Sequence, residues 1–238
     1  MLAPCVIDGR SELPRVSDAT YAAAIDPAFK HSDFALAIEH LTSTGLIVLD
    51  YVHTWSGSKQ VPLGFEFVCS EVTEILRRYG INTVLGDQFA APAIQQEFLK
   101  LGITYREATF GRNTRAQLFN NLKHLIQQRR IELLDSPKLL RQLRSLEERR
   151  GSDGNVDVRA DGRLKDDLAI VVALAALELS QSANNCAPMP ISLGHAARPF
   201  EDRLADARRR WDPFPVGPAV CAKFPNCWDT GHCECYGI

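Results

Sequence analysis

Three apolar runs in this chain meet aspartate at a boundary, and that arrangement narrows the folds open to it. YAAAI runs into Asp26, INTVLG runs into Asp87, and LAIVVALAALEL is preceded by the pair Asp166 and Asp167. Short apolar runs bounded by turn formers read as buried strands, and the longer run reads as a buried helix. A carboxylate is costly to bury, so each acid belongs where its element reaches the surface. Two strands ending and one helix starting at the same sheet edge would gather four carboxylates there. Such a gathering suits hard divalent cations, and a pair of those can cleave a phosphodiester. The acids therefore predict a metal-dependent nuclease.

Each acid also has a plainer local role. Asp26 precedes Pro27, a common turn pairing. Asp87 stands where a helix N-cap belongs. One aspartate suffices to cap the last helix, and the second adds like-charge repulsion unless a cation neutralises it. The functional reading rests on the three sites together, since only one order of elements brings them to one place.

The rest of the chain supplies that order. YAAAID, DFALAIEH and GLIVLDYVHTW read as three strands with short turn-forming connectors, hence an antiparallel meander. Residues 64–79 place Phe67, Val68, Val72, Ile75, Leu76 and Tyr79 at helical spacing, and Gly80 is a natural stop. INTVLGD is a fourth strand, APAIQQEFLKLG a helix and ITYREATF a fifth strand. Thr114 is placed to cap a helix over RAQLFNNLKHLIQQRR, IELL is a short strand or turn, and Ser136-Pro137 opens another helix. Residues 151–163 form a Gly/Asp-rich connector, and the last helix starts at the aspartate pair and ends near Ser180. This order predicts an α/β fold, a mixed five-stranded sheet flanked by helices on both faces. A boundary near 182 separates a domain at 1–182 from a Pro-rich linker and Cys-rich tail at 183–238.

Composition excludes some classes. Apolar residues make up 45% and charged residues 24%, ordinary values for a chain with a sizeable core. The net charge of −2 does not announce a nucleic-acid binder, but basic stretches at 141–150 and 203–210 leave room for a local basic face. No secretory signal pattern is visible, and no apolar run reaches the roughly 20 residues that span a bilayer, so a soluble intracellular protein without a membrane partner is expected. Seven cysteines, an odd number without a signal, argue against a disulfide framework. Cys221, Cys227, Cys233 and Cys235 with His232 have unusual spacing for zinc, and no structural metal is assigned to them.

In order and in the intervening segment, the residues resemble the nuclease domain of tailed-phage terminase large subunits. IDPAFKHSDFALAI, then VLGD, then GRLKDDLAIVVALA carry the likeness, with ITYREATFGRNTRAQLFNNLKHLIQQRRIELLDSPKLLRQLRSLE between them, over residues 20–180. The resemblance implies an RNase H-like fold, shared with junction resolvases and several transposases. It implies catalytic, metal-binding roles for Asp26, bridging two ions, for Asp87 on one ion, and for Asp166 or Asp167 on the other. Asp166 fits the pattern slightly better, with Asp167 assisting; Asp33 matches an often acidic position that also suits a turn.

The implied activity is a two-metal-ion endonuclease using Mg²⁺ or Mn²⁺, cutting double-stranded viral DNA during packaging. Implied partners are duplex DNA, a packaging ATPase, the small terminase subunit and the portal, in the host cell cytoplasm. Lys165, Arg112, Arg115 and Lys123 are the candidate DNA contacts. The chain departs from a full packaging motor, since no G-x-x-x-x-G-K-[ST] loop occurs and WSGSKQ lacks the spacing. A resolvase- or transposase-like nuclease and a non-enzymatic DNA-binding module are the alternatives.

Overall fold

A computed structural model of the chain describes residues 2–27, 33–57, 63–87, 91–108, 112–150, 156–161 and 165–185. The readings made for the cysteine-rich tail and for the basic run at 203–210 lie outside the described residues.

The expected meander is present. β2 (Thr20–Asp26), β3 (Phe34–Leu41) and β4 (Ile47–Trp55) pair antiparallel in sequence, with a bulge at Ile38/Glu39. β5 (Thr83–Asp87) then lies parallel beside β2, and β6 (Thr104–Ala108) parallel beside β5. On the far side β7 (Ile131–Leu134) runs parallel to β4, and the two-residue β1 (Val6–Ile7) runs parallel to β7. The sheet therefore has seven strands in the order β1-β7-β4-β3-β2-β5-β6, and β3 alone opposes the rest.

Five strands were expected. IELL proves to be a strand, and its free edge recruits Val6 and Ile7 from a lead-in with no readable periodicity. The basic run at 141–150 is divided between two elements. Helix α4 (Pro137–Arg144) stops there, and β8 (Leu146–Arg150) pairs antiparallel with β9 (Val156–Ala160) in a separate hairpin. Its register sets Glu147 opposite Arg159 and Glu148 opposite Val158.

Helices cover both sheet faces. α1 (Phe65–Tyr79) and α2 (Ala91–Lys100) bury Val68, Val72, Leu76, Ile94 and Phe98 against Ile25, Phe34, Leu36 and Ile38. Gly80 ends α1 at φ 70, a left-handed value that a residue with a Cβ rarely takes. The other face receives α3 (Arg112–Gln127), α4 and α5 (Asp167–Asn185). α3 begins at Arg112, so Thr114 lies inside its first turn rather than capping it, and α5 runs past Ser180. Small side chains meet on this face. Ala22, Ala24, Ala35 and Ala37 of the sheet lie under Ala169, Ala173 and Ala176 of α5, all buried. That lets the helix axis approach the two central strands and fixes where its first turn stands.

Candidate active site

The sheet brings one edge together from many elements. The C-terminal ends of β2, β4, β5 and β7 and the N-terminal end of β3 all lie there, because β3 alone is reversed. In open α/β sheets the C-terminal strand ends form the crevice that binds ligands. Asp26 closes β2 and Asp87 closes β5, and the register Ile25↔Gly86 sets the two acids at neighbouring positions. Asp167 is the first residue of α5, immediately after Asp166.

These four acids act on one another. The Asp26 carboxyl is pushed up to about 7, first by burial and then by the charges of Asp167, Asp87 and Asp166, while Arg115 pulls the other way. Asp167 is also raised, by burial foremost, with Asp33 and Asp166 adding repulsion. The structure thus brings together all four acids named from the sequence. Among the described residues, no group of three or more His, Cys, Asp and Glu side chains is arranged to hold a metal ion. The donor chemistry nevertheless suits one: oxygen ligands only, with Asp26 short of positive charge.

The adjacent aspartates differ. Asp166 forms an ion pair with Arg115 and accepts the Ala160 N–H at 3.3 Å. Arg115 also donates to the Val158 carbonyl at 2.8 Å, so it joins α3, the hairpin and the acidic pair. Asp167 is buried and accepts the Asp33 N–H at 3.4 Å. Asp166, which the sequence pattern favours, is therefore the one engaged by a cation.

Two residues were not visible as partners in the sequence. Gln142 of α4 accepts the Leu168 and Ala169 N–H groups with one amide oxygen and so holds the first turn of α5. Asp33 is buried, and its carboxylate takes Lys138 Nζ at 2.6 Å and Lys165 Nζ at 2.8 Å. Burial alone would raise Asp33, but hydrogen bonds from Lys138, Lys165 and Ser56 bring it down to about 2.

The candidate DNA contacts scatter. Lys165 lies at the acidic edge through Asp33. Arg115 is spent on Asp166 and Val158. Lys123 lines a cavity of about 620 Å³ with Leu2, Leu122, Leu143 and Leu146, and among the described residues no ion pair ties it to the acids. Arg112 opens α3, but its side chain lies outside the described ones.

No family model and no curated protein matches the sequence. Among solved structures, the large terminase nuclease from thermophilic phage G20c superposes with a TM-score of 0.61 at 21% identity, over 70% of this chain and 86% of that one. That nuclease has also been solved with bound magnesium and with bound cobalt. The Thermus phage P74-26 large terminase nuclease domain gives 0.58 at 21% identity, over 68% of this chain and 80% of that one. The HK97 bacteriophage large terminase gives 0.59 at 15% identity, over 70% of this chain but only 40% of that one. Seven strands, helices on both faces and an acidic edge on the central strands thus give this chain the RNase H-like fold of phage large-terminase nuclease domains.

Proposed function

We propose that the chain is a divalent-metal-dependent endonuclease that cuts double-stranded viral DNA during genome packaging. One observation carries the reading: Asp26 is surrounded by Asp87, Asp166 and Asp167 at one sheet edge, with Arg115 its opposing cation. Carboxylates gathered at a strand-end crevice repel one another, and protonation or a bound cation relieves that repulsion. The fold supports the reading, since solved proteins that share it are nucleases by name, and one of them holds magnesium.

In this proposal Asp26, Asp87 and Asp167 hold Mg²⁺, or Mn²⁺ in its place, as two ions, and Asp166 contributes from its pair with Arg115. Bound divalent cations would supply the Lewis acidity that activates water and steadies a leaving oxygen. Asp26, at the centre, would face both positions. Gln142 and the alanine seam under α5 hold Asp167 in place, and Lys165 meets the DNA backbone. Arg112 and Lys123 of α3 are further proposed contacts to the DNA. Duplex DNA, a packaging ATPase, the small terminase subunit and the portal are the proposed partners, in the host cytoplasm.

The test is nicking of supercoiled plasmid by the purified chain. The expected result is relaxed and linear product with Mg²⁺ or Mn²⁺ and none with EDTA. Intact plasmid under all metal conditions, from a folded protein, would sink the proposal.

A further inference from the structure

Lys138 lies on α4 and Asp33 precedes β3, 105 residues apart, yet their side chains meet at 2.6 Å. β7 parallel to β4 makes this meeting possible, because it delivers α4 to the acidic edge. Lys138 also donates to Thr54 Oγ1 at 2.8 Å, at the end of β4. Lys165 reaches the other oxygen of the same carboxylate. Two ammonium groups therefore share one buried carboxylate, and Lys165 acts on Asp167 as well.

Lys165 serves both Asp33 and Asp167, so Lys138 is the second ammonium on a carboxylate that already has one. Nor does either lysine offset Asp26, because the cation acting on that acid is Arg115. Both side chains are 44% exposed, so the charges face solvent rather than the core. An ammonium has three N–H donors. Among the described residues Lys138 gives two and Lys165 one, so donors remain on both. The Asp33 N–H in turn binds Asp167, which fixes the lysine pair relative to the acids.

The geometry points to Lys138, paired with Lys165 across Asp33, as a second phosphate contact that positions the duplex backbone beside the acidic edge. This rests on the nuclease reading and adds to it a residue from α4 that no sequence motif marks. Asp33 acts as the buried anchor that holds both cations at a fixed place. The ligand chemistry is a nucleic-acid phosphodiester, met by point charges and read without regard to base sequence.

The test uses the full chain and a short mixed-sequence DNA duplex in EDTA, so binding is read without cleavage. Anisotropy titrations over a KCl series compare wild type with Lys138→Gln, Lys138→Met and Lys138→Arg, with melting temperatures in the same buffers. Losing one phosphate contact should weaken binding several-fold and reduce the salt slope by about one. Lys138→Gln and Lys138→Met should both show this, and Lys138→Arg should keep the wild-type slope. With Mn²⁺ and plasmid, the neutral variants should raise KM more than they lower kcat. A merely structural tie would lower the melting temperature and leave the slope unchanged, which would overturn the inference. Wild-type protein that nicks plasmid while the variants bind like wild type sinks this inference alone. Wild-type protein that binds through Lys138 but never nicks sinks the nuclease reading and leaves the phosphate contact standing.

Discussion

Gln142 accepts the Leu168 N–H at 2.8 Å across 26 residues of chain, and the same oxygen accepts the Ala169 N–H at 3.1 Å. The first N–H groups of a helix have no partner within it, and in α5 they are buried. Asp167, the residue just before them, owes its position to this side-chain cap as much as to the helix. Gln142 itself is buried, so neither partner can turn to water instead.

Replacing Gln142 with Leu should therefore cost stability and activity together. Leaving buried donors unmet costs about 1–3 kcal/mol each. Urea denaturation should show that loss, and plasmid nicking should fall in protein that is still folded at the assay temperature. Equal midpoints for wild type and variant would show that the cap carries no weight.

Asp26→Asn should separate charge from shape. Burial and three neighbouring carboxylates push Asp26 up to about 7, so its ionised form is the strained one in metal-free protein. Removing that charge should abolish nicking yet leave the metal-free melting temperature at or above wild type. A ligand that binds only the native state stabilises it by about 2.7 kcal/mol at a hundredfold excess over Kd. The wild-type chain should show such a rise with Mn²⁺, and the variant should show little of it. A full Mn²⁺ response in Asp26→Asn would remove this residue from the metal set.

The acidic edge was legible because strand ends and helix starts leave local marks. YAAAID and INTVLGD each carry apolar run and acid together, and both became strands ending on the acid. Contacts that depend on topology left no such mark. Nothing local singles out Lys138, and only β7 beside β4 brings it to Asp33. IELL was short enough to be strand or turn, and residues 1–20 fitted an irregular lead-in or an edge strand, so the pairing of Val6 and Ile7 with IELL stayed open in the sequence. The β8–β9 hairpin hid behind a charged run, where pairing across strands rather than helical spacing organises the residues. Helices cover both faces of the sheet, so Ala35, Ala37 and Glu39 of DFALAIEH are as buried as Phe34, Leu36 and Ile38.

Glu39 makes that burial testable by pH. Neither of its carboxyl oxygens has a hydrogen-bond partner among the described residues, and burial, with Asp50 adding repulsion, raises it well above the usual carboxyl range. Asp50 is itself held by His40 Nδ1 at 2.7 Å. The folded chain thus keeps a proton that the unfolded chain releases as pH rises through the ordinary glutamate range. Stability must then fall as pH rises above that range. Glu39→Gln, which does not titrate, should melt higher than wild type at pH about 8, with the gain shrinking toward pH about 4, the unperturbed glutamate range. A difference that stays constant across that window would show that Glu39 is not buried as the neutral acid.

Gly86 is the last residue before Asp87, and its missing side chain is what lets Tyr105 cross it. A Cβ there would stand 2.8 Å from Tyr105 Cζ and closer still to the hydroxyl, well inside contact distance. The Tyr105 hydroxyl donates to the Asp87 carbonyl at 2.6 Å and ties β6 to the end of β5. A methyl group at Gly86 must push the ring away and break that bond. Overpacking of this kind costs about 1–3 kcal/mol. Gly86→Ala should melt lower than wild type, and nicking should fall further than the stability loss explains, because Asp87 moves with its carbonyl. Tyr105→Phe keeps the ring but not the bond. It should show a milder loss in nicking and little loss in stability. If Gly86→Ala nicks plasmid at the wild-type rate while folded, the placement of Asp87 does not depend on this contact.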